Sequence, residues 1–524
     1  MNFAKIIIVL TTISAAVMEL LDTSIVNVAL YDMAGGLGVN VEDVAWVITS
    51  YAIANVIIIP LTSFLAEYFG RKSYYVASMI LFTAASFLCG NSHSLVELVF
   101  WRFVQGIGGG ALLSTSQAII FETFGKERQA MASGIFGMGI ILGPTLGPTV
   151  GGYVMESLSW PWIFYINIPI GILATFLSST FIERKPNEGD HKESIKIDYA
   201  GILFLAVGVG SLQFVLERGE ADDWFASDAI RILTVSAVVG LSLFIWRELT
   251  TAFPAVKLSI LRNRTQAVTN IFVFVLGIGL FTSVYVFPVM VQRINGFTPL
   301  ETGLSILLPT FAGVILFPLI GRAMGKGAPA MPFIIIGSIM FGIFGIMGGS
   351  MTADANKSDF FYVLIFRTFG ISLVQLPLIS QAVQGLNPKD YPAAIGLNNM
   401  VRQLGGAFGI AMANNYVASH YAQHRADLIA NVYQTNPLVT ERLNGITNSI
   451  LSKTGDLATA TQQATNYLNF AVDKQAYLLS YLDTFRLISI FFVGVMPLVF
   501  LIPRPKKVSQ TEAILAKKAM EEAH

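Results

Sequence analysis

The stretch GIILGPTLGPTVGG, residues 139–152, sets five glycines and two prolines inside an otherwise apolar segment. Four of these glycines recur every four residues: Gly139, Gly143, Gly147 and Gly151. They share one side of a helix, where the missing side chains let another helix approach closely. Pro144 and Pro148 each remove a backbone donor, and in lipid such breaks persist only where neighbouring protein covers them. The stretch therefore predicts a membrane helix packed tightly against another helix.

The composition of the whole chain agrees with a membrane location. Of its 524 residues, 54% are hydrophobic and 13% are charged, whereas soluble domains carry about 25% charged residues. Lys+Arg and Asp+Glu balance at 33 each, without a basic cluster, so we expect no nucleic-acid partner. Cys89 is the single cysteine, and the histidines show no ligand spacing. We therefore expect no metal, no cofactor and, because no Walker sequence appears, no use of ATP.

Apolar windows of about 20 residues, the length that crosses a bilayer, recur fourteen times along the chain. They lie near residues 5–30, 43–66, 74–91, 98–121, 131–155, 161–182, 198–217, 229–248, 265–291, 301–321, 331–350, 359–385, 392–417 and 482–503. If successive spans alternate, most basic residues of the short loops fall on one side, which is then the cytoplasm. The sequence predicts an all-α integral membrane protein with fourteen transmembrane helices and both termini in the cytoplasm.

A weak internal repeat divides these spans. WRFVQG around Arg102 resembles FRTFGI around Arg367, at an offset of 265 residues. Repeated halves of this kind place a substrate site between them, near the middle of the membrane. We expect an N-terminal six-helix half in residues 1–182, two inserted helices with flanking cytoplasmic loops in residues 183–264, and a C-terminal six-helix half in residues 265–524.

The last part of the chain contains two polar segments. Residues 418–481 form a long extracytoplasmic segment rich in Ala, Gln, Asn and Thr, with some apolar residues at helical spacing. It is either a helical excursion at the surface or a docking surface for an extracytoplasmic adaptor protein. Residues 504–524 are expected to form a cytoplasmic tail.

Two acidic residues lie deep in the first span. Glu19 and Asp22 are three residues apart and share a side of the helix. A charged side chain at this depth costs roughly 2.5–3.5 kcal/mol, so acids inside membrane helices are candidates for function. Such a pair could hold protons or a cationic drug, but not both at once, and this competition would couple the two. Alternatively, each carboxylate only pairs with a nearby basic or amide group.

Two arginines are the basic counterparts of these acids. Arg102 lies near the outer end of the fourth span, where it could take part in proton transfer or extend to the interface beside Trp101. Arg402 lies about 15 Å from the cytoplasmic end of its span, so it needs a partner inside the protein. The polar side chains expected to line a substrate cavity are Asn27, Gln105, Gln117, Asn398 and Arg402.

With these features, the chain resembles the major facilitator superfamily, specifically its fourteen-span drug:proton antiporter branch of the EmrB/QacA type. The resemblance is carried by the opening stretch and by LDTSIVNVAL (21–30), SFLAEYFGRK (63–72), RFVQGIGGGAL (102–112) and WPWIFYINIPIG (160–171). It implies the major facilitator fold, alternating access and proton coupling. Asp22 belongs to the first-span motif of this family, and Arg102 matches its fourth-span arginine, which the resemblance links to proton transfer.

The opening stretch resembles the antiporter motif of this branch. The resemblance implies a seam between the two halves that seals one face of the protein as the other opens. The seam would be formed by Gly139, Gly143, Pro144, Gly147, Pro148, Gly151 and Gly152. Plain close packing of helices would explain the same spacing of glycines.

The segment SFLAEYFGRK matches the cytoplasmic motif of the superfamily in part. Gly70, Arg71 and Lys72 are retained, whereas Glu67 stands where aspartate is usual. The expected role is a charge latch in which Glu67 and Arg71 hold adjacent helix ends together. The alternative is a tight turn with positive charges on the cytoplasmic side.

The sequence and the resemblance together favour a proton-coupled multidrug efflux transporter in the bacterial cytoplasmic (inner) membrane. It would export amphipathic or cationic small molecules and would not be an enzyme. One alternative is a proton-coupled importer or symporter of a small metabolite on the same scaffold. The other, a non-transporting membrane receptor or enzyme, would need a nucleophile or metal cluster that the sequence does not show.

Overall fold

The structure is built almost wholly from long helices. It is a computed structural model that describes residues 3–125, 128–184, 197–433 and 436–501, and these ranges contain no β-strand. Its long helices are α1 (Phe3–Ile25), α2 (Trp46–Phe69), α3 (Arg71–Gly90), α4 (Leu95–Phe124), α5 (Gln129–Ser157), α6 (Asn167–Phe181), α7 (Tyr199–Arg218), α8 (Asp228–Thr250), α9 (Arg264–Met290), α10 (Pro299–Gly325), α11 (Ala330–Gly348), α12 (Lys357–Gln381), α13 (Tyr391–Ile429) and α14 (Leu457–Val495). The all-α class is confirmed. The predicted tail, residues 504–524, lies outside the described residues.

Every predicted span corresponds to one of these helices. By length and composition, 13 helices of the described ranges could cross a membrane. The helix missing from that set is α13, which has 39 residues but a polar sequence. Its polarity comes partly from buried side chains such as Asn398, Asn399 and Arg402, and partly from its distal end. The predicted membrane class is therefore correct, and α13, which corresponds to the thirteenth predicted span, turns these polar side chains into the protein.

Polar residues at the ends of the apolar windows define where several helices begin. Asp198 accepts a hydrogen bond from Gly201 N at the start of α7. Helices α10 and α12 each begin with a capping box, formed by Thr298 and Glu301 in α10 and by Asn356 and Asp359 in α12. In a capping box, the side chains of the cap residue and of the third helical residue each accept a hydrogen bond from the other's backbone N–H. These bonds satisfy backbone donors that a helix start leaves unpaired.

The helices pack in two groups. Helix α1 contacts α4, α5 and α6, while α9 contacts α12, α13 and α14. Between the groups, α5 packs along α10 and α12, and α13 packs against α2 and α4. Helices α7 and α8 pack on each other, and α7 also contacts α2 and α13. We name the side of the protein where α2 ends and α3 begins the Arg71 face. The opposite side, which carries the polar segment 418–481, is the hairpin face.

The polar segment 418–481 is helical in its described part and forms what we call the outer hairpin. Helices α13 and α14 have 39 residues each, about 58 Å at 1.5 Å per residue, which is far longer than a bilayer crossing needs. Arg425 Nε donates to Asp473 Oδ1 (2.6 Å), and the rings of Tyr421 and Tyr477 stack at 3.9 Å. A further helix, Pro437–Thr454, packs on α14.

A capped turn joins this further helix to α14. Asp456 accepts from the hydroxyl of Thr459 and from the backbone nitrogens of Thr459 and Ala458, and these bonds hold the pKa of Asp456 below its usual range. The excursion is thus an ordered helical structure, which agrees with the first of the two sequence interpretations.

Candidate functional site

A fully buried ion pair joins α1 to α4. Arg102 Nη1 donates to Asp22 Oδ2 at 2.6 Å, and the side chains are 1% and 0% exposed. Arg102 also donates from Nε to the carbonyl oxygen of Val47 (3.2 Å) and from Nη1 to Gln105 Oε1 (2.9 Å). Its guanidinium lies over the ring of Tyr51, 4.2 Å from the ring centre. The alternative in which Arg102 extends to the membrane interface is therefore wrong.

Two amides complete the surroundings of Asp22. Gln105 Nε2 donates to Asp22 Oδ1 at 3.1 Å, and Asn167 Nδ2 of α6 donates to the same oxygen at 2.7 Å. Asn167 Nδ2 also donates to Ser86 Oγ of α3. Asp22 is thus held by three side chains from two other helices, so its charge is fully matched inside the protein.

Glu19 has a different environment, although it lies one turn before Asp22. Its Oε1 accepts from Asn55 Nδ2 (2.9 Å) and from Tyr51 Oη (3.4 Å), both on α2. Its Oε2 is buried and has no hydrogen-bond partner among the described residues. No Lys, Arg or His of the described ranges lies within 4.0 Å of this carboxylate. The two acids therefore differ: Asp22 is paired with a cation, and Glu19 retains a free acceptor.

The second group of helices places polar side chains toward the same interior. Arg402 of α13 is buried, and it forms no hydrogen bond or ion pair within the described ranges. Asn398 is also buried, and its Nδ2 has no partner in the part of the chain that the structure describes. Together with Glu19, these two side chains are candidates to contact a small molecule.

Asn399, which the sequence analysis did not select, links the two groups of helices. Its Nδ2 donates to Ser114 Oγ (3.0 Å) and to Gln117 Oε1 (3.3 Å), both on α4. Gln117 is therefore buried at a contact between α4 and α13. A further hydrogen bond between the two groups joins Ser380 Oγ of α12 to Ser133 Oγ of α5 at 3.0 Å.

Asn27 forms no hydrogen bond with Glu19 or Asp22. It lies in the short turn Val26–Val28 that follows α1, and its side chain is exposed. Its place in the lining of a substrate cavity therefore stays a prediction. In the described ranges, no group of three or more His, Cys, Asp or Glu side chains is placed to hold a metal ion.

The four glycines with a spacing of four, which we call the glycine row, pack against α1. A Cβ at Gly143 would meet Leu20, one at Gly147 would meet Ser24, and one at Gly151 would lie 3.0 Å from Ile25 Cγ1. We expected these glycines between the two halves, and instead they lie within residues 1–182. Pro144 and Pro148 both lie inside α5, which continues to Ser157.

A different side of α5 contacts the second group of helices. A Cβ at Gly152 would lie 2.7 Å from Leu300 N of α10, and Gly303 of α10 packs on the backbone of Thr149. Toward the other end, a Cβ at Gly134 would lie 3.4 Å from the carbonyl oxygen of Phe317. Of the residues predicted to form the seam between the two halves, Gly152 therefore lies at a contact between them, whereas the glycine row does not.

Replacing Gly147 by Ala should weaken the contact between α1 and α5. The added methyl would collide with Ser24 Oγ and stand 2.9 Å from Ile25 N, and overpacking of this kind costs about 1–3 kcal/mol. Gly139→Ala is the matched control, because its methyl would meet only Val17 and Ile13 methyls at 3.3 and 3.4 Å. Thermal unfolding of the purified proteins measures the effect. Equal unfolding temperatures for the two variants would contradict the packing described here.

In the predicted cytoplasmic latch, Arg71 pairs with a residue other than Glu67. Gly70 joins α2 to α3 with φ 83°, a conformation that favours glycine. Arg71 forms an ion pair with Glu122 of α4, and Glu67 is exposed. No ion pair between Glu67 and Arg71 is present in the described ranges, so the predicted latch pair is wrong. Lys72 is partly buried beside Arg71.

Three residues that surround the acids were not predicted from the sequence: Tyr51, Asn55 and Asn167. Each is a hydrogen-bonding side chain within an apolar window. A signal was therefore present, since polar side chains inside membrane helices seldom face lipid. Their partners could not be chosen, because Asn167 and Asp22 are separated by 145 positions.

Known proteins resemble this chain over nearly its whole length. Residues 12–410 match the Major Facilitator Superfamily. The multidrug export protein EmrB of Escherichia coli (strain K12) is 30% identical over 96% of both chains. The fatty acid resistance protein FarB of Neisseria gonorrhoeae is 30% identical over 94% of both chains.

Solved structures share the fold at low sequence identity. The human organic anion transporter MFSD10 (TETRAN) is 14% identical, with a TM-score of 0.58, over 95% of this chain and 99% of its own. The proton:xylose symporter XylE is 14% identical, with a TM-score of 0.55, over 95% of this chain and 96% of its own. The chain is therefore a multi-pass membrane protein of the major facilitator superfamily and belongs to its EmrB-type group.

Proposed function

We propose that this protein exports drug-like, amphipathic or cationic small molecules in exchange for protons. The observation that carries the proposal is the buried carboxylate of Glu19, which has a free oxygen and no bonded cation in the described ranges. Such a group can hold a proton or face a positively charged substrate, but not both. The names of EmrB and other multidrug export relatives support the direction of transport.

The roles of the other residues follow from their contacts. The ion pair of Asp22 and Arg102, with Gln105, fixes α1 against α4 and keeps Glu19 at its place beside Asn55. On the side of α13, the substrate route is lined by Arg402, Asn398 and Gln117. Arg71, with Gly70 and Lys72, ties the start of α3 to α4 through Glu122. The glycine row lets α1 and α5 move as one unit while α5 slides along α10.

Alternating access requires two bodies that rock against each other. We assign residues 1–182 and 265–524 to these bodies and residues 183–264 to an inserted pair, which agrees with the packing in two groups. Hydrogen bonds from Asn399 to α4 and between Ser133 and Ser380 tie the bodies together on the Arg71 side of the interior. Export requires these bonds to break when the protein opens toward the Arg71 face.

We further propose that the protein lies in the cytoplasmic (inner) membrane of a bacterium, with the Arg71 face and both termini in the cytoplasm. Basic residues of the described short loops, such as Arg71, Arg262 and Lys326, occur on this face. Acidic residues such as Asp222 and Asp228 occur at the hairpin face. This distribution of basic residues agrees with the positive-inside rule.

The energy of one proton is sufficient for such export. Each charge that moves through 100 mV yields about 2.3 kcal/mol, and each pH unit adds about 1.4 kcal/mol. Purified protein in acid-inside vesicles should therefore accumulate a fluorescent drug-like cation, and a protonophore should abolish the accumulation. Protein-free vesicles are the control. Accumulation that persists after the proton gradient has collapsed would refute proton coupling.

The outer hairpin is proposed as the docking surface for an extracytoplasmic adaptor protein. It carries a groove of about 650 Å³ whose lining includes Leu438, Arg442, Ile446 and Tyr467. Leu438 is 75% exposed, and exposed apolar patches mark interaction sites.

Replacing Leu438 by Glu should reduce co-purification of the adaptor with the transporter by about tenfold, because a charge at the centre of an apolar contact is left unpaired. Export in vesicles made of the transporter alone should not change. Thr440→Glu, on the same helix but outside the groove lining, is the control. An unchanged yield of adaptor with Leu438→Glu would remove the groove from the docking surface.

A further inference from the structure

The second group of helices contains a buried arginine at the position that corresponds to Arg102. Arg367 lies ten residues into α12, about 15 Å along its axis, and is 4% exposed. Its Nε donates to Ser283 Oγ of α9 at 2.7 Å. In the described part of the chain no acidic side chain lies within 4.0 Å of its guanidinium, and its two Nη nitrogens have no hydrogen-bond acceptor.

Contacts of the two repeats show why Arg367 differs from Arg102. Leu20 of α1 packs on Gly143 of α5, and Phe281 of α9 packs in the same way on Gly406 of α13. Two residues further along each helix, Asp22 faces Arg102 and Ser283 faces Arg367. The second repeat therefore carries a neutral hydroxyl at the position where the first repeat carries a carboxylate.

The hydroxyl of Ser283 cannot compensate the charge of Arg367. Ser283 Oγ accepts from Arg367 Nε and donates its own hydrogen to the carbonyl oxygen of Leu280 (3.1 Å). A guanidinium in a low-dielectric interior is stable only when an anion or several acceptors match it. Its planar fork is suited to a carboxylate or another small anion.

We propose that Arg367, oriented by Ser283, binds a monovalent anion inside the second group of helices. The anion is either a free inorganic ion or the carboxylate of an amphipathic organic acid, and both would bind through the Nη nitrogens. The site is separate from Glu19, and its existence does not depend on proton coupling.

Binding can be measured on the purified, full-length protein by its unfolding temperature in a buffer with a bulky sulfonate as the only anion. Addition of chloride, or separately of decanoate, should raise the unfolding temperature of the parent protein. With Arg367→Gln, the same rise in unfolding temperature should require an anion concentration at least about tenfold higher. Arg231→Gln, which removes an exposed arginine of α8, should leave it unchanged. A response to chloride indicates an inorganic ion, and a response to decanoate alone indicates a carboxylate amphiphile.

Substitutions of Ser283 keep the test decisive if Arg367→Gln does not fold. Ser283→Asp would supply the carboxylate that the first repeat has, so this variant should lose the response to both anions without unfolding at a lower temperature. Ser283→Asn introduces a side chain of the size of Asp but without its charge, so this variant should retain the response. If the parent protein responds to neither anion, or if Ser283→Asp responds as the parent does, the site does not exist.

Discussion

Replacing Glu19 by Gln should lower proton-driven export at least about tenfold and leave the protein folded. Gln has the shape of Glu and keeps the bond from Asn55 to the side-chain oxygen, but it cannot exchange a proton near neutral pH. No bonded cation of the described ranges loses its partner, so we expect stability to change by no more than about 1 kcal/mol. Export is measured in vesicles with an imposed pH gradient, and folding by thermal unfolding.

Glu217→Gln is the matched control for this prediction. Glu217, in the last turn of α7, is also a carboxylate: it accepts from Gln213 Nε2 at 2.7 Å and has a second, buried oxygen without a partner in the described ranges. The same chemical change there should leave export near the parental rate. If both variants lost export equally, the loss would follow from removal of any buried acid, and the special role of Glu19 would be refuted.

Replacing Asp22 by Asn should destabilise the protein by about 3–5 kcal/mol, because it leaves the charge of Arg102 buried without a counter-ion. Arg102→Gln should have a similar effect, since it leaves the carboxylate of Asp22 unpaired. The double variant Asp22→Asn, Arg102→Gln contains two neutral amides, which can hydrogen-bond to each other. It should recover most of the lost stability.

Unfolding of the four proteins in detergent forms a double-mutant cycle that measures this coupling. A coupling energy near zero would show that the two side chains do not form the ion pair in the folded protein. A double variant less stable than either single variant would contradict the pair in the same way.

The helices of this fold could be predicted from the sequence because their signal is local. Apolar windows locate every span, and the spacing of the glycine row correctly predicts one side of α5 in close contact with a neighbour. The partner of that side could not be predicted, since α1 and α10 both pass along α5 and only the rotation of α5 decides between them.

The candidate site could be predicted in its residues but not in its pairing. Glu19, Asp22 and Arg102 were selected from the cost of charges in a membrane. Which acid receives the arginine depends on contacts across 80 positions of sequence, and no periodicity contains that information. The latch shows the same limit: Arg71 could be selected from its motif, but its partner Glu122 lies on another helix.

The central claim is that a proton on Glu19 is exchanged for substrate, and substrate-induced proton release tests it most directly. Purified protein in weakly buffered detergent solution is mixed with a cationic substrate while a pH indicator records released protons. The parent protein should release about one proton per bound substrate, and Glu19→Gln should bind substrate without release. Equal release by both proteins would contradict the account.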